Sequence, residues 1–375
     1  MKKDAHYYAI LAFCRACGFN KEAAHQVAFA SQFVDDAKIN HIVLKEDPGN
    51  TIEYDTIDSR PSFFNMATCH SYTRIKTFNY NAMINNTCAF HFVPGCKGKL
   101  FPKKLRCSEA TPVIEGILNE AINENDLVKL GMVLHPYADS FSHQGFSGLL
   151  SKVNDIDKCK SLSKTLWGRY DKIKGFFKWF LKNRFDKFFD LLMPAYGHGQ
   201  AFDYPDIPHL PWSYEYDYSD RFSESYKNSE LIKNSERFRR AFTKIKEYLE
   251  AFLVKHPEHQ DQSENIKKIE NLEFLFDALL SKKTDNGREK NWRNVMIRND
   301  LFKKGETQLK YDKNRWLKAA FSNFDKKKFN QRKVEGARLA SHFSDSNWYK
   351  YFLAVKWYKN KFYEHCSRSM LNIPR

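Results

Sequence analysis

Residues Leu127 to Phe146, LVKLGMVLHPYADSFSHQGF, decide how the chain is read. Within them His135, Asp139 and His143 recur at steps of four. Each step turns a helix by only about 40° beyond a full turn, so the spacing predicts all three side chains on one face over two turns. Two neutral imidazoles flanking a carboxylate form a donor set for zinc or another first-row divalent ion. The same strip carries Leu134, Tyr137, Phe141 and Phe146, and a carboxylate buried among them needs a partner or a cation to stay ionised. Three polar residues on a solvated face would fit those neighbours poorly. Pro136 removes a backbone donor and predicts a kink beside His135.

The chain has 375 residues, enough for one large domain or two ordinary ones. Its 32 Phe residues predict a core rich in ring packing, and its net charge of +16 favours an anionic partner. Nucleic acid, an anionic membrane surface and a phosphorylated substrate all satisfy that charge. No apolar run reaches the roughly 18 residues of a membrane span, so no transmembrane segment is expected. The short apolar stretch from Tyr7 to Phe13 is bounded by Asp4, His6 and Arg15, which argues against a signal peptide. Eight scattered Cys residues suit a reducing compartment; Cys14 and Cys17 lack a second matching pair and read as packed thiols. A cytoplasmic location follows as the expectation, with delivery to another cell without a signal peptide left open.

On the N-terminal side of the central stretch, residues 4 to 17 read as a helix closed by Gly18, and Asn20 caps a second helix running to about Ala37. His6 lies in the first helix's apolar surroundings. Asp35 and Asp36 end the second, where the helix dipole disfavours adjacent carboxylates; a bound cation or plain solvent explains them. His41 to Leu44 and Thr51 to Tyr54, split by Pro48-Gly49-Asn50, suggest a small hairpin or an irregular loop. His70 and His91 default to satisfied core histidines. Residues 95 to 107, GCKGKLFPKKLRC, form a basic loop, and Thr111-Pro112 starts another helix.

Beyond the central stretch, residues 159 to 193 interleave Phe176, Phe180, Phe185 and Phe189 with Lys178, Lys182, Arg184 and Lys187. That pattern fits an amphipathic helix facing the core, an anionic membrane surface or a polyanion. Residues 194 to 220, PAYGHGQAFDYPDIPHLPWSYEYDYSD, are too rich in Gly and Pro for a regular helix and predict an ordered aromatic loop. There His198 sits between glycines, able to approach a metal closely. Asp206, held near Pro205 and Pro208, is stiff enough for a ligand or base, and His209 follows. From Arg221 the pattern is helical and charged, with Ser235, Ser263 and Asp345-Ser346 as caps. Glycine loops for nucleotides, zincin spacing and a nucleophile elbow are all missing.

The blocks DAHYYAILAF, ASQFVDDA, FHFVPG, HPYADSFSHQGFSG and GHGQAFDYPDIP together resemble a bacterial family that carries a domain of unknown function over roughly the N-terminal two thirds of such a chain. The central His-x3-Asp pattern also looks like the all-helical superfamily of zinc-dependent phospholipases C and single-strand-specific nucleases. That resemblance implies a cluster of zinc ions and phosphodiester hydrolysis, with His135 and Asp139 as helix ligands. His143 departs from the superfamily's spacing, its N-terminal residue ligand is not reproduced, and its later His-x3-acid pair is missing after His198. His6 with Asp35 is the available substitute.

The expectation is therefore an all-α chain. Residues 1–220 form a bundle-like metal-site domain with long ordered aromatic loops, and residues 221–375 form a charged helical region packed on it or separate. The expected ligands of a divalent metal, zinc first, with iron or manganese as alternatives, are His135, Asp139, His143, His6, Asp35, His91 and His198. Asp36 or Asp206 orients or deprotonates the water. The expected activity is hydrolysis of an anionic substrate, a phosphodiester or phospholipid, with nucleic acid and peripheral membrane contact as further partners. Two rivals stand beside it: a binding module for nucleic acid or anionic lipid with a structural metal, and a non-haem iron oxygenase using two His and one carboxylate.

Overall fold

A computed structural model of the chain describes residues 1–69, 80–149, 154, 156–161, 198–201, 203–216, 231–262 and 271–374. His70, the aromatic and basic stripe from Phe176 to Phe189 and the Ser263 cap lie outside the described residues.

The chain opens with a π-helix, Asp4–Ala9, that runs directly into α1, Ile10–Cys17. Gly18 closes α1 at φ 105°, in the left-handed region that favours glycine. Asn20 caps α2, Lys21–Asp36, by accepting from the Ala23 amide. A composite helix α3 follows, comprising Tyr80–Ala82, a second π-helix Met83–Cys88, and Ala89–His91. Next come α4, Phe101–Lys104, and α5, Pro112–Asn123, the latter capped by Thr111 with Pro at its first position. The central helix α6, Leu127–Ser142, is capped by Asp126 and continues through Pro136.

Wide π turns add a residue per turn and recur at functional sites, because they re-aim the side chains that follow. The first π segment here contains His6 and the second leads into His91, both histidines of the polar cluster.

Helix α6 is the hub. It packs against α2, α5, and two later helices, α8 (Asn234–Lys255) and α12 (Asn347–Arg368). Gly131 sets the closest of these approaches: a Cβ there would lie 2.2 Å from the Val27 carbonyl oxygen of α2. With the two backbones that close, the residues four further along each helix also meet, and His135 reaches Ser31. One hydrophobic cluster runs from Tyr7, Phe13 and Phe29 through Leu130 and Val133 to Phe242, Phe252, Trp348 and Phe352, so residues before and after 220 share a core.

The all-α expectation is overturned: the chain combines helices with two sheets. A four-stranded sheet has the order β2 (Asp55–Ile57), β3 (Arg60–Phe64), β1 (His41–Leu44), β7 (Lys333–Ala337). Strand β1 runs antiparallel to β3, with Ile42 opposite Phe63, and parallel to β7, with Ile42 opposite Val334. The hairpin is therefore β2–β3 and not His41–Leu44 with Thr51–Tyr54; Thr51 ends a short 3-10 helix, Gly49–Thr51. Its turn places Asp58 and Ser59 at φ 50° and 60°, where glycine or asparagine would be the usual signal.

The second sheet is antiparallel, in the order β4 (Ile156–Ser161), β5 (Pro211–Tyr216), β6 (Ile232–Lys233). It covers a satellite core of Phe92, Cys107, Phe146, Tyr204, Ile207 and Trp212. The expected aromatic loop thus contains a strand and a single helical turn, α7, His198–Ala201. Its anchor is the buried Asn234, which donates to the carbonyls of Tyr204 (2.6 Å) and Ile207 (2.8 Å) and accepts from Trp212 Nε1 (2.9 Å). Helix α8 starts at Asn234 with no side-chain cap, so Ser235 does not serve as one. Ser346 does cap α12, accepting from the Tyr349 amide. The other helices in the second half are α9, Glu273–Leu279, α10, Asp285–Arg298, and α11, Arg315–Ala320. Among the described residues, no helix is long and apolar enough to cross a membrane.

Candidate metal centre

The expected trio is brought together. His135 and Asp139 lie inside α6, and His143, its C-cap, keeps the helical amide bond to the Asp139 carbonyl (2.8 Å), so His135 Nε2 (3.3 Å) and His143 Nδ1 (3.7 Å) both approach Asp139 Oδ2. Among the described residues the structure assembles three groups of donors, two of which share His135: His6 with Asp35 and His135; His91 with His135 and Asp139; and His143 with His198 and Asp206. All seven residues expected as ligands are in these groups, and Asp206, expected as a base, joins them. Asp36 does not; it accepts from Tyr311 (2.9 Å) and Gln32 (3.3 Å) one layer away. His209 is also outside the groups.

Three backbone carbonyls decide how the imidazoles are used. His135 Nδ1 donates to Ser31 O (2.9 Å), His91 Nε2 to Thr68 O (3.0 Å), and His143 Nδ1 to His91 O (2.8 Å). A carbonyl can only accept, so each of these ring nitrogens carries a proton. In a neutral ring the other nitrogen then presents a lone pair, and all three lone pairs point into the cluster. Carbonyl-anchored histidines of this kind are the usual outer support of metal ligands. Neither Ser31 nor Thr68 was recognisable in the sequence as part of a site, because the groups used are main-chain atoms.

What the lone pairs face are further acceptors. His135 Nε2 is 3.2 Å from His91 Nδ1 and 3.3 Å from Asp139 Oδ2, and His91 Nδ1 is 3.4 Å from that same oxygen. Donor atoms held about 2.1 Å from a tetrahedral ion lie about 3.4 Å from one another. The triangle matches that edge length. Asp35 Oδ1 caps it from 3.7 Å (His135) and 3.8 Å (His91). His6 stacks on His135 with ring centres 3.8 Å apart and places its Nε2 3.1 Å from Asp139 Oδ1. Across the shared Asp139, His143 Nε2 is 3.0 Å from Asp206 Oδ1, and His198 Nε2 is 3.2 Å from Asp206 Oδ2. Phe92 stacks on His143 and meets His198 edge-on, closing the apolar side.

The Met1 amino group lies among these carboxylates, 2.5 Å from Asp139 Oδ1 and 2.9 Å from Asp206 Oδ1. Burial opposes its charge, but Asp139 and Asp206 outweigh that and raise its pKa to about 11. The sequence offered no signal for this contact.

Burial lowers His6 and His135 to about 4 and also lowers His143, so these rings stay neutral. Asp139 moves the other way from what burial alone would do: His143, the Met1 amino group and His6 hold it well below the usual carboxylate range. Asp206 is held low by the amino group, His198 and His143 against the same burial. His91 is the exception: burial opposes its charge, yet the hydrogen bond to Asp139 and the field of Asp35 raise its pKa. A proton on His91 is therefore the cluster's own relief when no cation is bound. Neutral imidazoles beside ionised carboxylates are the form in which these side chains bind metal, and the residues present fit a divalent ion.

Exposure is uneven. The His135 side chain is fully buried and that of Asp139 is 2% exposed, but Asp35 is 34% exposed. The cluster opens to solvent on the Asp35 side.

Set beside known proteins, residues 1–366 match a family of unknown function, DUF6765, and the chain belongs to that family. The match reaches well past the N-terminal two thirds, into α12. No curated protein and no solved structure matches the chain, so the likeness to phospholipases C and nucleases gains no support from a relative.

Proposed function

We propose that the chain is a metal-dependent hydrolase of anionic esters, phosphodiesters or phospholipids first, with zinc as the preferred ion. The observation that carries this reading is the set of carbonyl-fixed imidazole lone pairs facing ionised carboxylates at the spacing of a metal's donors. Two acceptors that close repel each other until a cation lies between them.

His91, His135 and Asp139, with His6 and Asp35 beside them, would hold one ion; His143, His198 and Asp206 would hold a second. A divalent ion bound there supplies a Lewis acid and a water acidic enough to ionise near neutral pH. Asp35 is the partly exposed carboxylate at the open edge, placed to take a proton at its outer oxygen. Gln32 Nε2 reaches both Asp35 (3.4 Å) and Asp36 (3.3 Å) and steadies that edge. The walls of Phe92 and the buried α6 strip exclude water from the other sides. A net charge of +16 supports an anionic substrate over a neutral one.

Elemental analysis of protein purified without an affinity-metal step tests this reading first. The expected result is about two divalent ions per chain, as in two-metal hydrolases. In a His135→Ala variant at least one is lost, and turnover of bis(p-nitrophenyl) phosphate or a short-chain phospholipid falls by about a hundredfold or more. Folded wild-type protein with no metal overturns the reading, and so does equal turnover by the variant. Iron in place of zinc turns it towards oxygen chemistry, for which His91, His135 and Asp139 are also a sufficient set.

A further inference from the structure

We propose that the finger formed by residues 95–107 docks the protein on an anionic lipid surface. Among the described residues the exposed large hydrophobic side chains are Phe64, Leu100, Phe101, Leu231, Val254 and Met370. Two of these six, Leu100 and Phe101, are consecutive, and a third, Met370, belongs to a segment tied to theirs. Leu100 and Phe101 form the tip of the finger, and Lys104, one turn on in α4, donates from Nζ to the Met370 carbonyl at 3.2 Å.

The finger is braced. Gly95 N donates to Arg106 O (2.7 Å) and Cys96 N to Lys104 O (2.9 Å), while Leu105, Arg106 and Cys107 are buried at its base. Cys107 exchanges backbone hydrogen bonds with Phe146 (2.7 Å) and Gly145 (2.9 Å), just beyond His143, and pairs with Pro94, just beyond His91. Both strands of the finger are therefore rooted in the segments that hold the polar cluster, yet its tip points its apolar side chains at solvent. A folded base presenting Leu-Phe to water is not explained by packing.

Charge identifies the occupant. Lys97 and Lys99 flank the tip, are exposed, and form no ion pair among the described residues. On α12, the helix that leads to Met370, Glu364 is paired within the protein by Lys361 and Arg368. Aliphatic and aromatic side chains that enter the acyl boundary, with lysines at headgroup level, are the chemistry of a peripheral contact with an anionic bilayer. Leu100 and Met370 have no π face on which a nucleobase could stack. Three side chains on a convex tip also cover too little area for a stable protein interface, which needs about 1,000 Å² or more.

This surface does not depend on the hydrolase reading, and its test needs no turnover. Full-length protein is sedimented with vesicles of phosphatidylcholine alone or with about a third phosphatidylserine, at low and high salt. Binding is expected only to the anionic vesicles and is expected to weaken about tenfold or more in Leu100→Gln/Phe101→Gln and in Lys97→Glu/Lys99→Glu, since each lysine and each apolar side chain contributes. Val254→Gln, an 81% exposed site on α8, should bind as wild type does, and all variants should keep the wild-type circular dichroism. Wild-type protein left in the supernatant overturns the proposal. Undiminished binding by either double variant does the same, as does capture of a single-stranded oligonucleotide through these residues in place of vesicles.

Discussion

Two buried polar regions hang from the same π-helix, Asp4–Ala9, and they are built on opposite rules. Asp4 points to Arg288, which donates from Nε to one carboxylate oxygen (2.6 Å) and from Nη2 to the other (3.2 Å). The same guanidinium also serves Asp285 (2.9 Å) and the Lys283 carbonyl (2.9 Å), and Lys2 ties Asp285 to Asp203. There every acceptor named meets a donor. His6, two residues on, points into a cluster where ring lone pairs and carboxylates confront one another. Asp4 and Arg288 are as deeply buried as His6 and Asp139. What separates a structural clamp from a candidate metal centre is how far the protein supplies its own donors. Arg288 meets both oxygens of Asp4. In the cluster the Met1 amino group meets Asp139 and Asp206, while the ring nitrogens of His91 and His135 still face each other at 3.2 Å.

The largest effect of a single substitution on stability should come from the clamp. Arg288→Met leaves the Asp4 carboxylate buried without its partner and should cost about 3–5 kcal/mol in urea unfolding. Because the clamp is self-sufficient, the loss should be the same with and without a chelator. A loss that disappears in chelated protein would mean that both regions belong to the metal centre and would break the contrast. Metal removal should affect only the other region. With free ion at about a thousand times its Kd, chelation removes about 4 kcal/mol of stability per site. The melting temperature should fall in chelator and recover on adding zinc, and it should not respond at all in a His135→Ala/His143→Ala variant.

How much of this was legible in the sequence follows from range. His135 and Asp139 share one helix, so periodicity alone puts them together. Asn20, Thr111 and Ser346 could be recognised as caps for the same reason. His91 and His198 could be recognised as candidates, but their grouping depends on α3 and α7 meeting α6, which local pattern does not encode. The sheets were missed because β1 is only four residues long and its partner β7 lies near the other end of the chain. The β2–β3 hairpin turns at Asp58-Ser59 without the glycine that would have marked it. His143 joins His135 and Asp139 at the C-cap of α6, but that its Nε2 serves Asp206 depends on the distant loop that carries Asp206.

The pH dependence of metal-free protein sharpens the contrast further. His6 and His135 have native pKa values of about 4, against an ordinary value of 6.5. Between those values the unfolded chain binds protons that the native chain does not, so stability falls as the pH drops from 6.5 through 4. Each ring can cost on the order of 3 kcal/mol by pH 4. His91, raised above its ordinary value, has the opposite sign: its contribution is full below 6.5 and is lost as the pH rises through its native pKa. Chelated wild-type protein should therefore show a steep acid limb in urea midpoints between pH 6.5 and 4. His135→Gln should flatten it. A limb of unchanged steepness in the variant would show that the cluster histidines are already protonated in the native state.

The smallest effect concerns two aspartates that the sequence could not tell apart. Asp206 lies between His143 and His198 at hydrogen-bond distance, whereas Asp36 is turned to Tyr311 and Gln32. Asp206→Asn exchanges an anionic acceptor for an amide between two ring nitrogens, so metal content should fall at the second group and activity with it. Asp36→Asn keeps its contacts in kind, since an amide oxygen still accepts from Tyr311. Its effect on metal content and turnover should stay within about threefold, the scale of a neutral hydrogen bond exchanged for a charged one. Parallel elemental analysis and phosphodiester turnover of the two variants decide the matter. Equal losses would place Asp36 at the centre after all and would extend the donor-poor region by a layer, towards the solvent edge that Asp35 already marks.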